Sequence, residues 1–199
     1  MAVRKFFSLY GAMLLKNMRE STAYKFDFIL GILAHLLIQA SSLLLVMTVY
    51  THTDSMGGFT FEQSLILYGC SLLATGIEEF FLHNVWSISR HVNMGTLDSV
   101  LLRPVKPILM LVMDGTSIHG FILGICGVVC LIVGFAQGGI SFGGWKCLWL
   151  ILCSVSGAFI IFSITLIMET LAFWFTDVVN AVVMVDNLRQ FVRYPITIY

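Results

Sequence analysis

The sequence predicts an all-α integral membrane protein, and three observations support this: its composition, its long apolar runs and the placement of its basic residues. Of the 199 residues, 58% are hydrophobic and only 11% are charged, whereas an average soluble domain is about 45–50% apolar and about 25% charged. Such an excess of apolar surface indicates contact with lipid. Eleven basic and eleven acidic residues give a formal net charge of zero, so no charged field points to nucleic acid or to a polyanionic substrate.

The first predicted element is an amphipathic helix over residues 1–24 that lies in the membrane interface. In residues 1–19 the apolar side chains follow one side of a helix, and the basic residues Arg4, Lys16 and Arg19 lie elsewhere on it. This pattern is typical of interfacial helices. The alternative is a simple extension of the first span. The segment is not a signal peptide, because charged residues interrupt its apolar run before any small-residue cleavage site.

Membrane-spanning helices are predicted next, because a helix needs about 20 consecutive apolar residues to cross a bilayer. Four runs reach that length, namely Phe26–Tyr50, Ser64–Trp86, Pro107–Ala136 and Trp145–Met168. A fifth run, Leu171–Tyr194, is apolar in its first half and charged on one helical face in its second half. It therefore either spans the membrane or lies at the interface. The sequence predicts four to five transmembrane helices after the interfacial helix.

The placement of Lys and Arg predicts the orientation, since basic residues of short loops stay on the cytoplasmic side. Basic residues precede the first span and recur between the second and third spans at Arg90, Arg103 and Lys106. The loops 51–63 and 137–144 contain none. The N-terminus and residues 87–106 are therefore predicted to be cytoplasmic.

The predicted cytoplasmic loop, residues 87–106, has apolar positions spaced for a short helix on either side of Gly95. Pro104 and Pro107 are expected to end the second of these helices before the third span begins. Two short helices joined at a glycine offer a surface to a soluble partner. The alternative is a loop that only connects two spans.

The same loop carries the residues by which the sequence resembles a known family. Gly-Thr-Leu-Asp at 95–98 is followed by Leu-Leu-Arg-Pro at 101–104. This pair is similar to the signature between the second and third spans of bacterial ATP-binding-cassette (ABC) transporter permeases of the type-2 exporter class. The wider layout also resembles that family, including a Tyr-Pro pair at 194–195. Family members continue to a last span, so the resemblance implies a six-span subunit that is truncated here at its C-terminus.

The resemblance implies a transport subunit, not an enzyme, in the bacterial cytoplasmic (inner) membrane. Such a subunit pairs with a second permease subunit, as a homo- or heterodimer that forms the translocation path. It also binds cytoplasmic ATPase subunits, which hold the ATP and Mg. No cofactor is expected on this chain, and its other contacts are with membrane lipids. The loop then acts as a coupling helix, and the residues implied in docking to the ATPase are Arg90, Gly95, Leu97, Asp98, Leu101, Arg103 and Pro104.

Polar residues inside the predicted spans form a second candidate site. They are His35, Gln39, Thr75, Glu78, Glu79, Asp114, Ser117 and His119. The acidic members lie about 10 to 12 Å deep on the helical rise, where a carboxylate is expected to face protein or water rather than lipid. The set either lines a translocation path or holds the bundle together by hydrogen bonds. Glu78 or Glu79 is expected to be shielded by a partner on the third span, with His119 and Ser117 nearest in depth. Glu79 suits this better because it shares a helical face with Thr75.

Small residues predict one close contact between helices. Gly120, Gly124 and Gly127 lie in the third predicted span, and small residues at such spacing let two membrane helices approach closely. The contact is predicted within the subunit, with a dimer interface as the alternative.

Other functions receive less support from the sequence. The five cysteines lie in apolar runs without a Cys-x-x-Cys pair, so they are interpreted as small buried hydrophobes and no metal site is expected. The glycine-rich segment 138–144 lacks the Gly-Lys-Ser/Thr ending of a phosphate loop, so ATP hydrolysis is assigned to another polypeptide. A proton- or ion-coupled secondary carrier is the alternative function. An intramembrane enzyme is a third, and no catalytic motif supports it.

Overall fold

The helices follow one another in the order that the apolar runs predict. The computed structural model describes residues 2–53, 55, 58–103, 106–113, 115–139, 143–175 and 178–189. Within these ranges the chain forms helices and no strands, which confirms the all-α prediction. The α-helices are α1 (Ala2–Ala23), α2 (Lys25–His52), α3 (Phe61–Phe81), α4 (Ile88–Asn93), α5 (Leu97–Leu101), α6 (Pro107–Met113), α7 (Ile118–Gln137), α8 (Gly144–Thr170) and α9 (Val179–Arg189). Two 3-10 helices, His83–Ser87 and Leu171–Phe173, follow α3 and α8.

Four of these helices are long and apolar enough to cross a membrane. They are α2, α3, α7 and α8, the last taken with its 3-10 extension to Phe173. Each corresponds to one of the four predicted runs, which confirms an integral membrane protein with several spans. The fifth run contains the second 3-10 helix and α9, and its last residues lie outside the described ranges. Whether that run spans the membrane stays a prediction.

Two predicted boundaries are wrong, and Asn84 lies beside both. The second run is predicted to continue to Trp86, but α3 ends at Phe81 and a 3-10 helix follows. The third run is predicted as one helix, but it is divided into α6 and α7. Asn84 Nδ2 donates a hydrogen bond to the carbonyl of Leu111 near the end of α6, and a Cβ at Gly115 would clash with the Asn84 side chain. The side chain of Asn84, in the 3-10 helix that follows α3, thus occupies the space beside the break between α6 and α7.

The N-terminal helix is a separate element. α1 ends at Ala23, and Tyr24 has φ −98° and ψ 78°, outside the helical region, before α2 begins at Lys25. α1 is therefore a helix distinct from α2. Met13 of α1 packs against a cluster that includes residues of α6. The interfacial position of α1 relative to the membrane stays a prediction.

α3 lies at the centre of the bundle, between α7 and α8. Its first turn is fixed by a capping box, in which the N–H of Thr60 donates to Gln63 Oε1 at 3.1 Å. Toward α8, the Cβ of Ala74 lies 3.1 Å from where a Cβ at Gly157 would be. The helix that carries three of the eight predicted polar residues, Thr75, Glu78 and Glu79, is therefore enclosed on two sides.

Glycines allow α3 and α7 to touch backbone to backbone. A Cβ at Gly76 would lie 2.6 Å from the Gly124 nitrogen and 2.8 Å from the Gly120 oxygen. A Cβ at Gly127 would lie 2.9 Å from the Gly69 oxygen. The predicted close contact at Gly120 and Gly127 is thus made within the chain. The contacting glycines recur every seven residues along both helices, at 69 and 76 on α3 and at 120, 127 and 134 on α7.

Candidate functional site

The two-helix loop (residues 88–101) turns at Gly95. This glycine lies between α4 and α5 with φ +67°, a left-handed conformation that residues with a side chain rarely adopt. Thr96 closes the turn, because its N–H donates to the His91 carbonyl at 3.0 Å and its hydroxyl lies 2.9 Å from His91 Nδ1. The prediction of two short helices on either side of a glycine is confirmed.

The outer surface of the two-helix loop and of the two residues after it combines apolar side chains with charges. Of the seven residues predicted to dock an ATPase, five are exposed, namely Arg90, Gly95, Asp98, Leu101 and Arg103. Leu97 is half-buried, and Pro104 lies outside the described residues. Met94 and Leu102 add apolar surface at 69% and 87% exposure. Exposed apolar side chains that lie together and are rimmed by charges are typical of interaction surfaces.

The inner side of the same loop is fixed to the bundle by apolar packing. Val85, Ile88 and Val100 are at most 6% exposed, and they form one cluster with Met110 and Leu111 of α6. Side chains of α1 and α8 also pack against this cluster. The loop is therefore a surface with a rigid backing, because a displacement of α4 or α5 disturbs the close packing beneath it.

A buried carboxyl group joins the two-helix loop to α8. Glu169 is 2% exposed, and its Oε2 accepts a hydrogen bond from the backbone N–H of Ser89 at 2.8 Å. Ser89 lies in the first turn of α4, where N–H groups have no partner within the helix and where the helix dipole favours a negative group. α4 is thus held to the last turn of α8 by a hydrogen bond as well as by packing.

The second candidate site is a cavity between α2, α3 and α8. Its volume is about 610 Å³, which lies within the range of about 300–1,000 Å³ found for small-molecule sites. Four of the eight predicted intramembrane residues line it, namely His35, Gln39, Thr75 and Glu79. Of the other four, Asp114 lies outside the described residues.

The other three described residues of the set, Glu78, Ser117 and His119, do not line the cavity. Glu78 is 1% exposed. His119 stacks on His35, with ring centroids 4.2 Å apart and an interplanar angle of 7°. Ser117 donates its backbone N–H to the carbonyl of Glu79 at 3.4 Å. His35 and Glu79 therefore both contact residues 117–119, at the start of α7.

Two hydrogen bonds orient the polar side chains of α2. His35 Nδ1 lies 2.9 Å from the Gly31 carbonyl oxygen, and because a carbonyl only accepts, Nδ1 carries the hydrogen. Gln39 Oε1 accepts a hydrogen bond from the Tyr68 hydroxyl at 2.7 Å. The second bond connects α2 to α3 and is buried, since Tyr68 and Gln39 are 2% and 6% exposed.

Sequence reasoning missed Glu169, Ser89 and Ser154. A signal existed for Glu169, because it directly follows the fourth apolar run, which ends at Met168. Ser154 is 3% exposed, lines the cavity and has no hydrogen-bond partner for its Oγ. No sequence signal marks it, because serines in apolar helices commonly bond to their own backbone. Among the residues that the structure describes, no three His, Cys, Asp or Glu side chains are grouped as a metal site would require.

Comparison with known proteins gives one family. A family model described as an ABC-2 family transporter protein matches residues 36–199, which is more than four fifths of the chain. The matched region begins within α2 and includes the two-helix loop and every cavity-lining residue except His35. Neither the curated proteins nor the solved structures give a match.

Proposed function

Because the chain belongs to the ABC-2 family of transporter proteins, we propose that this ABC transporter permease is the membrane-spanning subunit of an ATP-driven exporter. In this proposal a separate cytoplasmic ATPase docks on the two-helix loop, and two permease subunits together form the translocation path. The ATP and Mg are held by the ATPase. The observation that carries the proposal is the construction of the loop.

The loop has the two properties that a coupling surface needs. Its outer side presents Leu101 and Leu102, 54% and 87% exposed, beside charged residues, so a soluble protein finds both apolar area and polar contacts there. Its inner side is tied to the spans by apolar packing and by the bond between Glu169 and Ser89. Force applied to α4 by a docked partner therefore reaches α8 through a buried hydrogen bond.

The location of the protein follows from the same proposal. The two-helix loop carries Arg90 and is followed by Arg103 and Lys106, and basic loops of this length stay in the cytoplasm. We therefore assign the loop and the N-terminus to the cytoplasmic side of a bacterial inner membrane. Membership of the ABC-2 family favours ATP as the energy source over a proton- or ion-coupled carrier.

Co-purification with the ATPase tests this function, and the chain offers a matched control. Gly95 and Gly139 both have left-handed backbones, with φ +67° and +61°, and valine at either site is strained by about 1–2 kcal/mol. Gly139 lies between α7 and α8, away from the two-helix loop. We expect Gly95→Val to lower ATPase recovery and ATPase stimulation severalfold, and Gly139→Val to leave both near wild type.

The measurement uses an affinity-tagged permease co-expressed with a candidate cytoplasmic ABC ATPase from the same organism, followed by quantitation of both chains in the eluate. Equal ATPase recovery with Gly95→Val and with the wild type would show that docking occurs elsewhere. Equal loss with both glycine variants would show a general folding defect instead, and Asp98→Ala, an exposed change within α5, then decides whether the loop binds the ATPase.

A further inference from the structure

The cavity between α2, α3 and α8 is elongated. Its lining extends along α3 from Leu67 to Glu79, which is about 18 Å at the helical rise. Its volume of about 610 Å³ is that of a small-molecule site. The cavity therefore suits a small, elongated molecule.

The walls of the cavity favour an apolar body. α8 contributes Ile160, Ile161 and Ile164, and α2 contributes Ile38. Ile38, Ile160 and Ile164 are 54%, 61% and 42% exposed, so they form an open apolar edge where α2 and α8 separate. In a membrane-spanning bundle, such an edge admits molecules from the bilayer.

The polar groups of the cavity determine what the other end of such a molecule must be. His35 Nδ1 donates its hydrogen to the Gly31 carbonyl, so Nε2 is the ring nitrogen left to accept a hydrogen bond. Glu79 adds a carboxyl group to the same lining, and its backbone carbonyl contacts Ser117, two residues before the His119 ring on which His35 stacks. Two acceptors in one part of the cavity favour a ligand group that donates hydrogen bonds, and a carboxylate favours a cation.

Ser154 supplies a second polar contact farther along the cavity. Its hydroxyl is buried and has no hydrogen-bond partner, and it lies on α8 next to Cys153, which with Cys70 of α3 also lines the cavity. On α3 the step from Cys70 to Glu79 is about 13 Å at the helical rise. A buried hydroxyl without a partner is rare in proteins, so it points to a ligand atom in this space.

We propose that this cavity binds an amphipathic amine, with the ammonium group between Glu79 and His35 and the apolar body between α2 and α8. The proposal rests on the proposed transport function only in naming the class of substrate. Binding itself requires no ATPase. A failure of amine binding is therefore distinguishable from a failure of ATPase docking.

Photolabelling of the full chain in lipid nanodiscs tests the proposal. The probes are an alkylamine with a diazirine in its twelve-carbon chain and the alcohol with the same chain, and labelled residues are identified by mass spectrometry. We expect the amine to label cavity residues of α2 and α8 saturably, with competition by excess dodecylamine, and the alcohol to label them about tenfold less. Lipid-facing residues of α7 such as Ile132, 56% exposed, report non-specific labelling.

Two variants and one control identify the groups responsible. Glu79→Gln is expected to reduce amine labelling of the cavity to the level of the alcohol. Glu62→Gln changes a carboxyl group on the same helix outside the cavity lining, and it is expected to leave amine labelling of the cavity unchanged. Ser71→Leu places a larger side chain in the cavity and is expected to reduce labelling by both probes.

The proposal is overturned if the amine and the alcohol label the cavity equally, because the cavity then holds lipid chains without selecting a head group. It is also overturned if neither probe labels the cavity above the level of Ile132. If Glu79→Gln does not fold, the ratio of amine to alcohol labelling in the wild type, together with the effect of Ser71→Leu, decides the question.

Discussion

α2 and α3 are both long enough to cross a membrane, and the more apolar of the two is the less buried. The mean hydropathy of the most apolar window is 2.2 in α2 and 1.3 in α3, yet 11% of the first window and 50% of the second are buried inside the protein. α3 touches α7 through Gly69 and Gly76, whereas most large side chains of α2 are exposed.

Apolarity therefore does not drive helices together in lipid, because lipid chains are as apolar as leucine. Small residues that allow close approach, and polar residues that need partners, decide which helix becomes the centre. α3 has both, in its glycines and in Tyr68, Thr75 and Glu78, all buried. The buried residues of α2 are Gln39 and Val46, and Gln39 is buried where it meets Tyr68.

The largest expected effect comes from filling the contact between α3 and α7. A Cβ at Gly120 would clash with the Phe80 nitrogen, whereas one at Gly124 would meet nothing within 4 Å. We expect Gly120→Leu to yield little or no folded protein, since a side chain forced against backbone costs more than the ~1–3 kcal/mol of ordinary overpacking. Gly124→Leu is expected to fold normally. Monodisperse protein after size-exclusion chromatography is the measurement, and equal yields of the two variants would contradict the assignment of α3 as the packed centre.

A leucine truncation on each helix measures the difference directly. Leu72 of α3 is 0% exposed and Leu37 of α2 is 69% exposed. We expect Leu72→Ala to lower the free energy of unfolding by about 2–5 kcal/mol, because it leaves a cavity in the packed interior. Leu37→Ala is expected to change it by less than about 0.5 kcal/mol, as is usual for exposed sites. Unfolding in mixed micelles gives both values, and similar losses for the two variants would mean that α2 is covered in the assembled protein.

The smallest effect is expected at the polar link between the two helices. Tyr68→Phe removes the donor to Gln39 Oε1, and interhelical hydrogen bonds in membranes average about 0.6 kcal/mol, with values up to about 1.7 kcal/mol. A double-mutant cycle with Gln39→Leu isolates the pair, and we expect a coupling energy within that range. A coupling energy of zero would mean that the hydrogen bond between Tyr68 and Gln39 does not stabilise the contact between α2 and α3.

Hydropathy was enough to predict the four spans, because each is a long apolar run and the bilayer imposes a minimum length. It was not enough to predict the break between α6 and α7. Pro107–Ala136 is apolar on average, although Asp-Gly-Thr-Ser at 114–117 separates its two apolar parts where α6 ends and α7 begins. Asn84, which contacts Leu111 and lies beside Gly115, is more than twenty residues earlier in the chain. A contact between distant segments leaves no periodic signal in either of them.

The two candidate sites were likewise predictable only in part. The two-helix loop was predictable, since Gly95 and the flanking apolar positions are local features that encode a turn and two helices. The cavity was half predictable, because the four-residue spacing of Thr75 and Glu79 places both on one face of α3. The role of Glu169 was not predictable, because its partner is the backbone N–H of Ser89. Every residue except proline has a backbone N–H, so no residue type marks this partner in the sequence.

The seven-residue recurrence of the glycines between α3 and α7 restricts how the protein changes shape. Sliding one helix along the other by less than a full repeat, about 10.5 Å, would push a side chain into a place where only a hydrogen atom fits. The glycine contacts therefore oppose sliding between the two helices, and we expect α3 and α7 to move together. The remaining freedom belongs to α2, which joins α1 at the non-helical Tyr24 and borders the cavity. We therefore expect α2 to swing during transport while α3 and α7 stay fixed to each other.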